Sequence, residues 1–199
     1  MRRFRTGLAA LVLAGAGLTA MLPMGTAVAA EVPTTAVAAC AADWGSLPKV
    51  STDTEYKPLR DIRTGRHDCY DRMVFDILGP DTRGPIGYRV GYVGTLHQDG
   101  SGDVIPVGGG AILEVRVAAP SYDPATGKPV YDGRVKQQLP GVDLTGYRTF
   151  KDTRFGGSFE GDTQVGLGVR ARLPFRVFQE GNHLVVDVAH TWHGFRWER

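Results

Sequence analysis

The sequence has almost nothing that would build a long helix. No stretch sustains a 3.6-residue apolar period over three turns, and 27 glycines and 12 prolines in 199 residues oppose one. Lysine is scarce, 5 against 18 arginines. An arginine excess suits bidentate reading of carboxylate or phosphate, yet codon bias explains it as well. Acid is missing from the first 30 residues, where Arg2, Arg3 and Arg5 are the only ionisable side chains. Subtracting these three from the 23 basic residues leaves 20 against 21 acidic ones, so the basic balance of the whole chain resides in its first segment. Nothing in such a balance suggests a phosphate-tracking surface, so nucleic acid is not expected as a partner.

That first segment has the layout of an export signal. Arg2, Arg3 and Arg5 precede an apolar run from Gly7 to Leu22, and Ala27-Val28-Ala29 supplies the small residues of a cleavage site. Gly15, Gly17, Thr19 and Pro23 make the run too short and too broken for a bilayer span. Residues 1–29 are therefore expected to be removed, leaving a protein that is secreted, extracellular or associated with the cell wall. Only two cysteines remain, Cys40 and Cys69, and an oxidising exterior lets them persist as a disulfide. The alternative is that Val37-Ala38-Ala39-Cys40 is a lipobox, which would anchor a lipoprotein to the membrane at Cys40. About ten residues separate that box from the small-residue site, which weighs against it.

Residues 30–60 are rich in Ala, Thr, Ser and Pro and cannot bury enough apolar surface to offset ordering. They read as a disordered linker with one docked segment, Cys40 to Leu47, in which Trp44 is the large apolar group. Residues 61–194 form the domain and 195–199 a tail. From Asp68 onward, short runs of β-branched and aromatic residues alternate with Gly, Pro and Asp clusters, the pattern of an all-β sandwich of two small, mostly antiparallel sheets. The expected strands are 70–78, 88–95, 104–107, 111–118, 148–158, 163–170, 175–179 and 183–190. Glu114 and Arg116 should face outward from a half-buried strand. Glu160-Gly161-Asp162 and Glu180-Gly181-Asn182 read as three-residue hairpin loops with glycine free to take positive φ. Met73-Val74-Phe75-Asp76-Ile77 resembles Leu184-Val185-Val186-Asp187-Val188, so the two runs should face or pair with one another. Their aspartates either look to solvent or are buried against Arg72, Arg170 or Arg172.

Catalytic patterns are incomplete. Gly166-Leu167-Gly168-Val169-Arg170-Ala171 matches a dinucleotide fingerprint formally, but Pro174 and a strand follow where a helix must start, so no nucleotide is expected. Its glycines are better read as permitting close approach of another chain segment. Ser158, in Gly157-Ser158-Phe159-Glu160-Gly161, has its second glycine one residue late for a nucleophile elbow. Glu160 and Asp162 could work as a glycosidase pair, although acids at turns are ordinary. His190 and His193, with His67, Asp68 and Asp71, form no recognised metal spacing. No cofactor, metal or catalytic residue is expected.

Four stretches together resemble the AMIN-like domain of secreted actinobacterial proteins, a relative of the AMIN domain of periplasmic amidases. They are Gly65-Arg66-His67-Asp68-Cys69-Tyr70-Asp71-Arg72-Met73-Val74-Phe75-Asp76, then Gly157 to Gly161 with Gly166 to Phe178, then Leu184 to His190. The resemblance implies a non-enzymatic β-sandwich that binds cell-wall polysaccharide or peptidoglycan. A module that recruits an envelope protein through its strand edges is the alternative. Carbohydrate recognition uses aromatic faces beside planar hydrogen-bonding groups. The candidates of those types are Tyr92, Ser158, Phe159, Glu160, Asp162, Gln164, Arg170, Arg172 and Trp192.

Overall fold

A computed structural model of the chain describes residues 40, 44–53, 57–77 and 84–192. Among these there is no helix. Eleven strands follow in order: β1 (Lys49–Ser51), β2 (Leu59–Arg66), β3 (Tyr70–Ile77), β4 (Tyr88–Val93), β5 (Leu96–His97), β6 (Val104–Ile105), β7 (Ala111–Val117), β8 (Phe150–Phe159), β9 (Asp162–Val169), β10 (Phe175–Glu180) and β11 (His183–Ala189). They make a five-stranded sheet, β1-β4-β7-β9-β8, and a four-stranded sheet, β10-β11-β3-β2, with β5 and β6 forming a small ribbon. All pairings are antiparallel. Met73, Phe75, Leu184 and Val186 of the smaller sheet share one buried cluster with Leu113, Val115, Val165 and Leu167 of the larger. The expected two-sheet sandwich is the fold.

β3 and β11 lie side by side with Leu184 opposite Phe75 and Val186 opposite Met73. The two similar runs therefore pair as expected, and each alternates core residues with outward ones. Glu114 and Arg116 do face away from the core, between buried Leu113, Val115 and Val117. Both aspartates of the repeated pattern are on the outer face. Asp187 is fully buried there and bridges two guanidiniums, at 2.7 Å from Arg72 Nε and 2.8 Å from Arg176 Nε. Arg72 was among the expected partners, whereas Arg170 and Arg172 lie elsewhere. Asp76 instead takes a forked pair from Arg63, at 2.7 and 3.0 Å, with His183 Nδ1 2.6 Å away.

Several elements differ from the sequence-based expectation. β2 reads Leu-Arg-Asp-Ile-Arg-Thr-Gly-Arg, without regular alternation, because a bulge between Leu59 and Asp61 turns both Leu59 and Ile62 into the core. β1 lies in the stretch expected to be linker and pairs with β4 over only three residues. Both hairpin loops are one residue shorter than expected. Phe159 pairs with Asp162 and Glu180 with His183, leaving two-residue turns. At the first, Glu160 (φ 50°) and Gly161 (φ 92°) both have positive φ, a type I′ turn. At the second, Gly181 alone does, at φ 57°.

β9 is buried along nearly its whole length because residues 94–110 cross its outer face as a strap. A Cβ on Gly168 would lie 1.8 Å from the Gly108 carbonyl oxygen, and one on Gly166 would lie 2.4 Å from Leu96 Cδ2. The two glycines of the nucleotide-like motif thus let the strap pass, as close-approach glycines do.

Candidate functional site

Of the nine candidate binding residues, three converge at one end of the larger sheet. Tyr92 is the penultimate residue of β4, Arg172 lies in the 170–174 link from β9 to β10, and Trp192 follows β11. The Tyr92 hydroxyl accepts the Leu173 N–H at 2.9 Å and donates to the Leu173 carbonyl at 2.8 Å. Burial raises its pKa, opposed in part by that backbone bond and by the charge of Arg172, so the hydroxyl stays a neutral tether for the link. The Arg172 guanidinium lies 5.2 Å from the Tyr92 ring centre and donates to the Ser46 hydroxyl and carbonyl, each at 3.2 Å. Trp192 donates its Nε1–H to the Arg172 carbonyl at 2.8 Å while 49% of its surface stays exposed. Beside Tyr92 and Arg172 opens a cleft of about 400 Å³, walled also by Gly94, Gly110 and Ala111. The corner thus offers an anchored indole and a guanidinium stacked on a phenol ring.

The β8–β9 hairpin is at the other end. Register makes this plain: Ser158 pairs with Thr163, Thr163 with Val117, and Val117 with Tyr88, whereas Val93 pairs with Ile112, and Ile112 with Gly168. Ser158 is committed to structure, accepting the Ser121 N–H at 2.9 Å and lying 3.0 Å from the Asp162 carbonyl. Gln164 is equally spent. Its amide donates to the His97 carbonyl (2.8 Å) and Glu114 Oε1 (2.6 Å), and its oxygen accepts the Asp99 N–H (3.1 Å). Glu160 occupies the exposed turn. Asp162 borders a smaller cleft of about 190 Å³ with Tyr88 and Arg89. Burial, reinforced by the charge of Glu160 and opposed by Arg116, raises the Asp162 pKa. Phe159 is 46% exposed and lines a cleft of about 380 Å³. Arg170 opens the same link at the Tyr92 end, but its guanidinium is spent on the His190 carbonyl, to which it donates.

His190 has a constellation that invites a catalytic reading. Its Nδ1 is 2.9 Å from Thr149 Oγ1 and its Nε2 is 3.0 Å from the His67 carbonyl, with Asp71 Oδ1 4.0 Å away. All three side chains are buried, and the second Asp71 oxygen accepts the N–H groups of Thr149 (2.6 Å) and Phe150 (3.0 Å). A substrate has no approach to this group, which ties the chain after β11 to the start of β8. His193 lies outside the described residues. Among the described residues no three His, Cys, Asp or Glu side chains are gathered as a metal site.

A feature missed by sequence reasoning covers the outer face of the smaller sheet. The Arg176 guanidinium sits 4.4 Å from the Trp44 ring, 5.4 Å from Tyr70 and 5.0 Å from Phe178, and Arg72 lies 5.3 Å from Tyr70 and 5.4 Å from Phe178. Asp187 holds both arginines from beneath. The i, i+2 spacings of Tyr70 with Arg72 and of Arg176 with Phe178 place each pair on one face of a strand, which was the available signal. Trp44 is in the segment expected to dock, and Gly45 accepts the Phe175 N–H at 2.9 Å. The predicted disulfide is present, joining Cys40 to Cys69.

Fold and surface together define an all-β, two-sheet domain that presents anchored aromatic and guanidinium groups at shallow clefts. The chain belongs to the AMIN-like domain family, whose model matches residues 57–190. Neither the curated proteins nor the solved structures gave a match to the chain.

Proposed function

We propose that this protein is an exported, non-catalytic domain that binds cell-envelope polymer, peptidoglycan or another wall polysaccharide, through the corner of Tyr92, Arg172 and Trp192. Family membership supports a wall-associated binding role. The observation that carries the surface assignment is Trp192, half exposed yet fixed by its bond to the Arg172 carbonyl. Its ring suits a sugar face, and the stacked guanidinium suits an amide or carboxylate of the polymer. Export rests on the signal-like residues 1–29 and is consistent with the disulfide. A Cys40 sulfur bonded to Cys69 has no valence left for a lipid thioether, which favours free secretion over a membrane anchor.

The test is co-sedimentation of the purified domain with insoluble peptidoglycan. Trp192→Ala and Arg172→Ala should each lower the bound fraction at least fivefold, about 1 kcal/mol. Retention unchanged in both variants, or no sedimentation of the wild type, would sink the reading.

A further inference from the structure

We infer that Phe159 and the 98–101 loop form a second polymer contact, selective for an uncharged glycan strand, at the opposite end of the larger sheet from Trp192. The inference rests on the wall-binding reading above and adds a site with different chemistry. Gly100 has φ 81°, and a Cβ there would lie 3.0 Å from Phe159 Cδ2 and Cε2, so one side of the ring rests on the loop backbone. The remaining side accounts for its 46% exposure. A ring clamped in this way presents an apolar face with little entropy left to lose on contact.

The cleft beside the ring holds about 380 Å³ and is bordered by Gln98, Asp99, Ser101, Val135 and Gly157. Its floor is kept open by glycine. Gly157 has φ 107°, and a Cβ there would lie 3.3 Å from Val135 Cγ2 in the cleft wall. Asp99 is fixed by Arg116, which reaches Asp99 Oδ1 at 2.6 Å, and by the bond from its own N–H to Gln164. Its carboxylate remains 20% exposed as an acceptor, beside the Gln98 amide and the exposed Ser101 hydroxyl. An apolar ring face flanked by a carboxylate, an amide and a hydroxyl matches the hydroxyl and N-acetyl groups of a pyranose.

Two alternatives fit less well. No lysine or arginine lines the cleft and an aspartate does, so phosphate or carboxylate ligands would be repelled. Strand addition is blocked as well. Lys136 donates its N–H to the Phe155 carbonyl and Phe155 donates its N–H to the Gln137 carbonyl, both at 2.9 Å, which occupies the β8 edge next to the cleft. An uncharged glycan remains.

A hexamer of N-acetylglucosamine, neutral and free of peptide, is the probe. Titrated into the isotope-labelled wild-type domain, it should shift the backbone amide signals of residues 98–101 and 156–159. Phe159→Ala should weaken the hexamer about tenfold as read at these amides, whereas Phe159→Tyr should leave that affinity unchanged. No shift in these amides at up to about 10 mM hexamer, or equal affinity in Phe159→Ala, overturns the second site. The two readings fail separately. Loss of wall sedimentation in Trp192→Ala without any hexamer effect would leave only the first, and hexamer binding that survives where wall binding is unchanged in Trp192→Ala and Arg172→Ala would leave only the second.

Discussion

Gly168 shows at the scale of one residue how this fold is held. Its missing side chain lets the Gly108 carbonyl approach to where its oxygen would sit 1.8 Å from a Cβ, with Asp152 Cβ a further 3.1 Å neighbour. Gly168→Ala should therefore cost about 3 kcal/mol or more, read as a lowered urea midpoint, because no side-chain rotation can relieve the overlap. Glu160 presents the opposite case. A non-glycine residue at φ 50° is strained, and the type I′ turn it occupies favours Asn-Gly. Glu160→Asn should stabilise by about 0.5–1 kcal/mol, and an unchanged midpoint would refute the strain argument. Next to it, Asp162 has a folded-state pKa raised by burial and by Glu160. An acid of that kind favours its protonated form in the fold, so its contribution is full below the unfolded value of about 3.9 and is lost as pH rises through the folded value. Asp162→Asn should thus gain stability slightly at pH 7 relative to wild type, and denaturation repeated at about pH 3 should show the gain gone.

At the scale of elements, the pieces most legible in the sequence were strands with regular alternation. β7 declares itself through Leu113, Glu114, Val115, Arg116 and Val117, whose burial follows the pattern. β2 could not be read in that way. Its bulge places Leu59 and Ile62, three residues apart, on the same side, and its remaining positions are polar because it is an edge strand. The GxG in β9 signalled close approach without revealing its partner, since Leu96 and Gly108 of the strap lie 70 and 60 residues before Gly166 and Gly168. The segment around Trp44 has its own logic. Gly45 caps β10, Ser46 meets Arg172, and β1 pairs with β4, so residues 44–51 join the edges of both sheets. Short β1 and the Gly45 contact also blunt two edges that would otherwise be open to pairing. The Cys40–Cys69 bond closes a loop across 29 residues behind this clasp. Reduction should lower stability by ~3–4 kcal/mol in the chain-entropy account, and a denaturation midpoint unmoved by reductant would mean that the clasp holds without it.

For the molecule as a whole, the candidate residues were chosen by side-chain type, and their grouping was invisible before folding. Antiparallel register sends Tyr92 and Phe159 to opposite ends, while the links after β9 and β11 return Arg172 and Trp192 to Tyr92. Ser158 and Gln164 resemble binding residues in sequence because hydroxyls and amides serve structure and recognition equally; only their bonding partners separate the two roles. Charge bears on the same question. In the proposed exported form, without residues 1–29, 20 basic and 21 acidic residues would remain, so a diffuse attraction to anionic wall polymer would have no source in net charge. Binding through anchored rings and one stacked guanidinium should consequently resist salt. Between about 0.05 and about 0.5 M sodium chloride the screening length falls from ~14 to ~4 Å, yet the wall-bound fraction should fall by no more than about threefold. A loss of tenfold or more over that range would show that long-range charge, rather than contact at the two ends of the sheet, holds the domain to the wall.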